Sequence, residues 1–149
     1  MIDGVIITPL RQIFDERGKV MHMLREDSAM FKRFGEVYFS TTNPGAIKAW
    51  HRHKKMTLNY AVIDGVIKFV LFDDRPNSKT RGRVEELFLS PENYCLVTVP
   101  PLIWNGFKGL GQKPAIVANC SDLPHDTDEI ERKPPFDQSI PYDWQIQHK

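Results

Sequence analysis

A chain of 149 residues is long enough to bury one substantial core and short for two domains. With 41% hydrophobic and 26% charged residues and a formal net charge of +1, it has the composition of a soluble globular protein. It has no basic excess that would make nucleic acid or an anionic membrane its main partner.

The N-terminus, MIDGVIITPL, places Asp3 where a signal peptide needs positive charge, and its apolar run is short. No stretch approaches the roughly 18 apolar residues of a spanning helix. Two cysteines, Cys95 and Cys120, form neither a disulfide framework nor a Cys-x-x-Cys pair. Reduced thiols and a cytoplasmic location are expected.

Short β-branched or aromatic runs follow one another, cut by turn residues. Strands are expected at 4–8 (GVIIT), 19–23 (KVMHM), 36–42 (EVYFSTT), 46–51 (AIKAWH) and 57–63 (TLNYAVI). Further strands are expected at 66–72 (VIKFVLF), 84–89 (VEELFL), 94–99 (YCLVTV), 104–110 (WNGFKGL) and 115–120 (AIVANC). Between them lie turn clusters such as Asn43-Pro44-Gly45, Arg75-Pro76-Asn77-Ser78 and Pro100-Pro101. Many short strands at regular spacing predict an all-β sandwich or barrel. Asp64-Gly65, set between two apolar runs, is the strongest hairpin signal. One short helix is expected over 27–35 (DSAMFKRFG), with Asp27 or Ser28 capping its start and Gly35 stopping it. The tail from Leu123 is rich in proline and charge, yet keeps Phe136, Ile140, Tyr142 and Trp144. Such a tail is expected to be ordered against the barrel rather than disordered. No repeat or domain boundary interrupts residues 1–149, which are read as one domain.

The segment AIKAWHRHKKM carries the most chemistry. In an extended strand, His51 and His53 point to one face while Trp50, Arg52 and Lys54 take the other. Two imidazoles on one face suit either metal binding or proton transfer. A catalytic metal site needs about three protein ligands, and no spacing recommends His22 or His125 as the third. Lys48, Arg52, Lys54, Lys55 and Arg17 could hold a diphosphate through charge-assisted hydrogen bonds or be a solvated strand edge. Trp50, Phe69 and Trp104 could stack on a base or pack in the core, and Trp50 is placed on the face opposite the histidines, where a subunit interface would lie.

Several motifs together carry a resemblance. Gly45, five residues, then His51-Arg52-His53 resembles the first half of the cupin motif. RPNSKT, then LSPEN, then VPPLIWNGF, flanked by DERGKV near the start and FDQSIPYDW near the end, is similar to the dTDP-4-dehydrorhamnose 3,5-epimerase family. The resemblance runs from about Asp15 to Trp144. It implies a cupin double-stranded β-helix, or jelly-roll barrel, usually a homodimer. The implied substrate is a nucleotide-diphosphate 4-keto-6-deoxy sugar, epimerised without a cofactor or metal. His51 falls on the family's catalytic base and Asp137, seven residues before Trp144, on its carboxylate partner. Lys48 falls on a residue facing the pyrophosphate, and Arg17 on one used towards the nucleotide. The chain departs from the family at Leu58, where the family has a lysine, and at Asn105-Gly106-Phe107, where it has His-Gly-Phe. The family places its acid, a tyrosine, just after the last barrel strand, and no tyrosine stands there in ANCSDLPHD. Leu58 and Asn105 also stand where metal-binding cupins place a glutamate and a third histidine.

Epimerisation beside a ketone needs a base with pKa near the working pH, a stabiliser for the enolate oxygen and an acid on the opposite face. Histidine suits the base, and a carboxylate such as Asp137 could orient it. His53 is taken as the second polar group of the site. Tyr60, Tyr142 and Tyr38 are the candidate acids, and Tyr60, Tyr142 and Asn105 are placed among the substrate-binding residues. Two alternatives share the same residues. One is a dTDP-4-keto-6-deoxyhexose 3,4-ketoisomerase, whose His-x-His pattern resembles HRHKK. The other is a degenerate cupin that binds a sugar nucleotide without turning it over.

Overall fold

The computed structural model describes residues 1–146. Its strands, in chain order, are β1 (Ile6–Pro9), β2 (Gln12–Asp15), β3 (Gly18–Met21), β4 (Glu36–Thr42), β5 (Ile47–His53) and β6 (Leu58–Asp64). They continue with β7 (Val66–Phe72), β8 (Val84–Leu89), β9 (Cys95–Val99), β10 (Trp104–Leu110), β11 (Ala115–Ser121) and β12 (Ile130–Arg132). One five-stranded sheet runs β1-β9-β6-β11-β4 and a second runs β12-β5-β10-β7-β8, every recorded strand pair being antiparallel. From β4 to β12 successive strands cross between the sheets, except that β7 and β8 pair within one, giving the expected jelly roll.

Alternation explains the layers. Leu58, Tyr60 and Val62 of β6 and Val97 and Val99 of β9 face Ile67, Phe69 and Leu71 of β7 and Phe107 of β10 across the main core. Burying a side chain of this size stabilises by roughly 1.5–3 kcal/mol. β7 is apolar on both faces because its outer side is covered as well. Val70 and Phe72, with Trp50 and Trp104, pack against Ile140 and Trp144 of the tail. A strand buried twice reads as a continuous apolar run, as VIKFVLF does. Lys68, the one charge in that run, lies with its ammonium 5.2 Å from the Tyr142 ring centre and 5.8 Å from that of Trp144. The aromatic tail is therefore draped over the second sheet, and Trp50 is covered by its own chain rather than presented at a subunit interface.

The helix expected over 27–35 does not form; the segment turns over 27–30 and is irregular from 31 to 35. Asp27 is tied back to the Arg25 guanidinium, and Ser28 Oγ accepts from the Arg25 amide instead of capping forward. Nine residues cannot hold a helix without packing to enforce it. Gly35 serves a different purpose: a Cβ there would lie 2.2 Å from the Leu123 amide nitrogen, so it permits close approach of the tail. Asp64-Gly65 is a corner rather than a hairpin, because β6 and β7 belong to different sheets. Gly65 has φ +73 and no room for a Cβ, which would sit 2.6 Å from Ala115 Cα. β2 pairs with β3 in a separate exposed hairpin, and β12 extends the second sheet beside β5. Neither β2 nor β12 is among the strands expected from the sequence.

Candidate active site

The main cavity, about 410 Å³, opens between the two sheets. This is within the range of small-molecule sites. β5 supplies its reactive wall: Lys48, His51 and His53 all line it. β5 is held in place from both sides. Asn105 and Arg132 are its register partners at His51, from β10 and β12. Gly106, at the bulge between β10 and β5, lets the backbones close up, since a Cβ there would sit 2.4 Å from Ala49 Cβ. The facing wall comes from the other sheet, with Tyr38 and Ser40 of β4 and Tyr60 of β6.

His51 Nε2 lies 3.2 Å from the Tyr60 hydroxyl. Withdrawal from water pushes the His51 pKa down, and the charges of His53 and Arg132 push the same way, to about 3. His51 is thus neutral at physiological pH and able to accept a proton. Burial, followed by the neighbouring Tyr38 hydroxyl, holds Tyr60 well above the ordinary phenol range, so it too stays neutral. His53 is buried, with Nδ1 2.5 Å from Glu129 Oε1. The other oxygen of Glu129 accepts from the amides of Lys55 at 2.7 Å and Met56 at 2.8 Å. Burial alone would raise the Glu129 pKa, but the bonds from His53 and the two amides outweigh it and lower it. Lys48 Nζ donates to Ser40 Oγ at 2.9 Å and to the Thr41 carbonyl at 2.6 Å. Glu36 accepts from the His125 amide at the cavity wall. Among the described residues no group of three or more His, Cys, Asp or Glu is placed to hold a metal ion.

The structure thus gathers His51, His53, Lys48 and Tyr60 around one cavity. Asn105 is fully buried beside them, its amide donating to the His51 and Ile103 carbonyls. Its carbonyl oxygen has no partner among the described residues. Asp137 is not brought to His51. It is half-buried, it accepts from the amide and hydroxyl of Ser139, and it is outside the cavity lining. The carboxylate paired with a site histidine is Glu129, on His53. Tyr142 is also elsewhere: its hydroxyl donates to Glu86 at 2.6 Å and its ring packs edge-on to Trp50 and Trp144 outside the second sheet. Arg17 is at the tip of the exposed β2–β3 hairpin, paired with Asp15 at 2.6 Å. Arg52 is bonded to Glu131 and Asp74 and stacks on Trp104, on the face away from the histidines.

Glu129, Arg132, Glu36 and His125 are site residues that the sequence reading misses. The DEIER stretch does alternate, with Ile130 and Arg132 turned to the cavity and Glu131 to Arg52. A three-residue strand with charges on both faces has too short a period to stand out.

The model of the dTDP-4-dehydrorhamnose 3,5-epimerase family matches residues 1–149. A crystal structure of a dTDP sugar isomerase from Desulfovibrio desulfuricans G20 is 47% identical, with a TM-score of 0.94, covering 96% of this chain and 92% of that one. The spore coat polysaccharide biosynthesis protein SpsL of Bacillus subtilis is 29% identical over 100% of both chains. A probable low-salt glycan biosynthesis epimerase, Agl13, of Haloferax volcanii is 31% identical over 95% of this chain and 89% of its own.

Proposed function

This chain belongs to the dTDP-4-dehydrorhamnose 3,5-epimerase family of carbohydrate epimerases, and we propose that it epimerises a nucleotide-diphosphate 4-keto-6-deoxy sugar next to its carbonyl. The observation that carries this reading is a neutral histidine in the wall of an open cavity, bonded to a neutral tyrosine and flanked by cations. The ring carbon beside the ketone loses its proton to His51. The C–H electron pair forms the enolate double bond and the carbonyl pair moves onto oxygen. A proton returned to that carbon from the other face completes inversion, and the enolate collapses to the ketone.

Tyr60, on the facing wall beside Tyr38, is bonded to the base and orients His51. Tyr38, on the wall formed by the other sheet, is assigned the returning proton. His53, fixed by Glu129, stands beside His51 with ring centres 5.8 Å apart and is assigned to the sugar hydroxyls. Asn105, fully buried behind β5 and outside the cavity lining, holds the His51 backbone and is given no contact with the sugar. Lys48 is assigned to the diphosphate. Neither Asp137 nor Tyr142 has a role in this reading. The biological unit is taken as a homodimer, supported by the open edge of β4, where Val37 and Phe39 are exposed. Arg17 reaches a nucleotide only if such assembly brings its hairpin to a cavity.

The test is product identity. The protein is incubated with dTDP-4-keto-6-deoxyglucose and the sugar ring protons are followed by NMR. A product inverted at C3, C5 or both supports the reading. A 3-keto product would assign ketoisomerisation instead, and binding without product would reduce the chain to a sugar-nucleotide binder for this substrate.

A further inference from the structure

We infer that Arg132 is the catalytic cation of this site, stabilising the enolate oxygen that forms as His51 takes the proton. The inference rests on the proton-transfer reading above and adds to it the group that offsets the developing negative charge.

Three positively charged or chargeable side chains besides the β5 histidine pair line the cavity: Lys48, His125 and Arg132. Lys48 is already held by Ser40 and Thr41, on the β4 side. His125 is in the loop after β11, and its backbone amide is fixed by Glu36. Arg132 differs from both. It is the register partner of His51 across the β5–β12 pair, so strand pairing fixes its Cα beside the base. None of the ion pairs recorded among the described residues involves its guanidinium. Its neighbour Glu131 turns to the other face of β12 and is taken by Arg52 at 2.6 Å. The strand thus presents an unneutralised guanidinium to the cavity and a neutralised carboxylate to the outside.

Arg132 lines the same cavity as His51 and Tyr60, directly across the β5–β12 pairing from the base. A cation beside a base is costly for the base alone, because it opposes formation of the imidazolium. It becomes favourable when the same step creates an anion. Proton transfer from carbon to neutral His51 yields an imidazolium and an enolate together. A guanidinium nearer the enolate oxygen than the imidazolium lowers the energy of that pair. The fork of donors also matches an oxygen whose charge grows during the step. No residue is oxidised or reduced, and the only atom that moves is the proton.

The test compares wild type, Arg132→Gln and Arg132→Lys with dTDP-4-keto-6-deoxyglucose in D2O, following deuterium entry at the carbons beside the ketone. Binding of dTDP, which has no ketone, is measured in parallel. Arg132 is exposed at the end of a short strand, so thermal midpoints of the variants should match wild type. The expected result is a loss of about 10²–10³-fold in the exchange rate for the Gln variant, the range seen when one oxyanion donor is removed. Affinity for dTDP should stay within about threefold, and the Lys variant should recover part of the rate. Exchange by Arg132→Gln at the wild-type rate would overturn the inference. So would a loss of dTDP affinity matching the loss of rate, which would make Arg132 a diphosphate ligand. A wild type that exchanges nothing would overturn the functional reading, and this inference with it. Should the Gln variant not fold, the Lys variant decides: a full rate with the fork removed, and unchanged dTDP binding, would also overturn the enolate role.

Discussion

Replacing His51 with glutamine should change how the fold responds to acid. In the folded chain His51 titrates near 3, against 6.5 for an unperturbed histidine. Between these values the unfolded chain binds a proton that the folded chain refuses, so stability falls as pH falls. The contribution of the neutral imidazole is complete above pH 6.5 and is lost progressively down to about pH 3. Each pH unit inside that window is worth at most about 1.4 kcal/mol, so a drop from pH 6.5 to 4.5 costs at most about 2.7 kcal/mol. His51 is only partly shielded by side chains, and water in the cavity reduces this to about 1–2 kcal/mol. Glutamine keeps a polar contact for the Tyr60 hydroxyl but does not titrate. Urea unfolding of both proteins at pH 7.5, 6.5, 5.5 and 4.5 gives the difference directly, since every other titrating group is shared. The variant should be less stable than wild type at pH 7.5 by about 1 kcal/mol. That gap should close or reverse by pH 4.5. Parallel curves across the whole window would refute the half-buried, neutral state of His51.

Gly106→Ala should cost about 2–4 kcal/mol, read as a lowered thermal midpoint, because the new methyl meets Ala49 Cβ at 2.4 Å on the strand that carries His51. Asp73→Asn should destabilise by about 3 kcal/mol in denaturant unfolding. Its fully buried carboxylate accepts from the Arg75 guanidinium and from the Ser78 and Thr80 hydroxyls, and an amide cannot satisfy that set. Tyr142→Phe removes the bond to Glu86 and should cost about 1 kcal/mol while leaving activity unchanged, detectable as faster amide exchange in the tail.

Period-two patterning explains why so much of the barrel is legible from sequence. β4, β7, β8 and β10 begin and end where their β-branched and aromatic runs do. The misses have local causes. The 27–35 segment has helix-compatible residues, but Arg25 captures Asp27 and Ser28 before they can cap. Asp64-Gly65 encodes a sharp turn without saying whether the next strand stays in the same sheet, and contact with Ala115 decides it. In the site, the His51–His53 face follows directly from strand geometry. The carboxylate does not, because Glu129 reaches His53 across 76 residues of sequence. Asp137 has the sequence spacing of a base partner, but Ser139 and the exposed turn hold it outside. Long-range pairing in a jelly roll is set by which strands become neighbours, and β12 is too short to announce its place.

The central claim is that the cavity around His51 moves a proton on carbon. Its most direct measurement is deuterium entry beside the ketone of dTDP-4-keto-6-deoxyglucose in D2O, for wild type and for His51→Asn, with dTDP affinity as the control for an intact site. The account predicts exchange by wild type, a loss of at least about 10²-fold in the variant, and dTDP binding retained by both. Exchange by His51→Asn at the wild-type rate would contradict it.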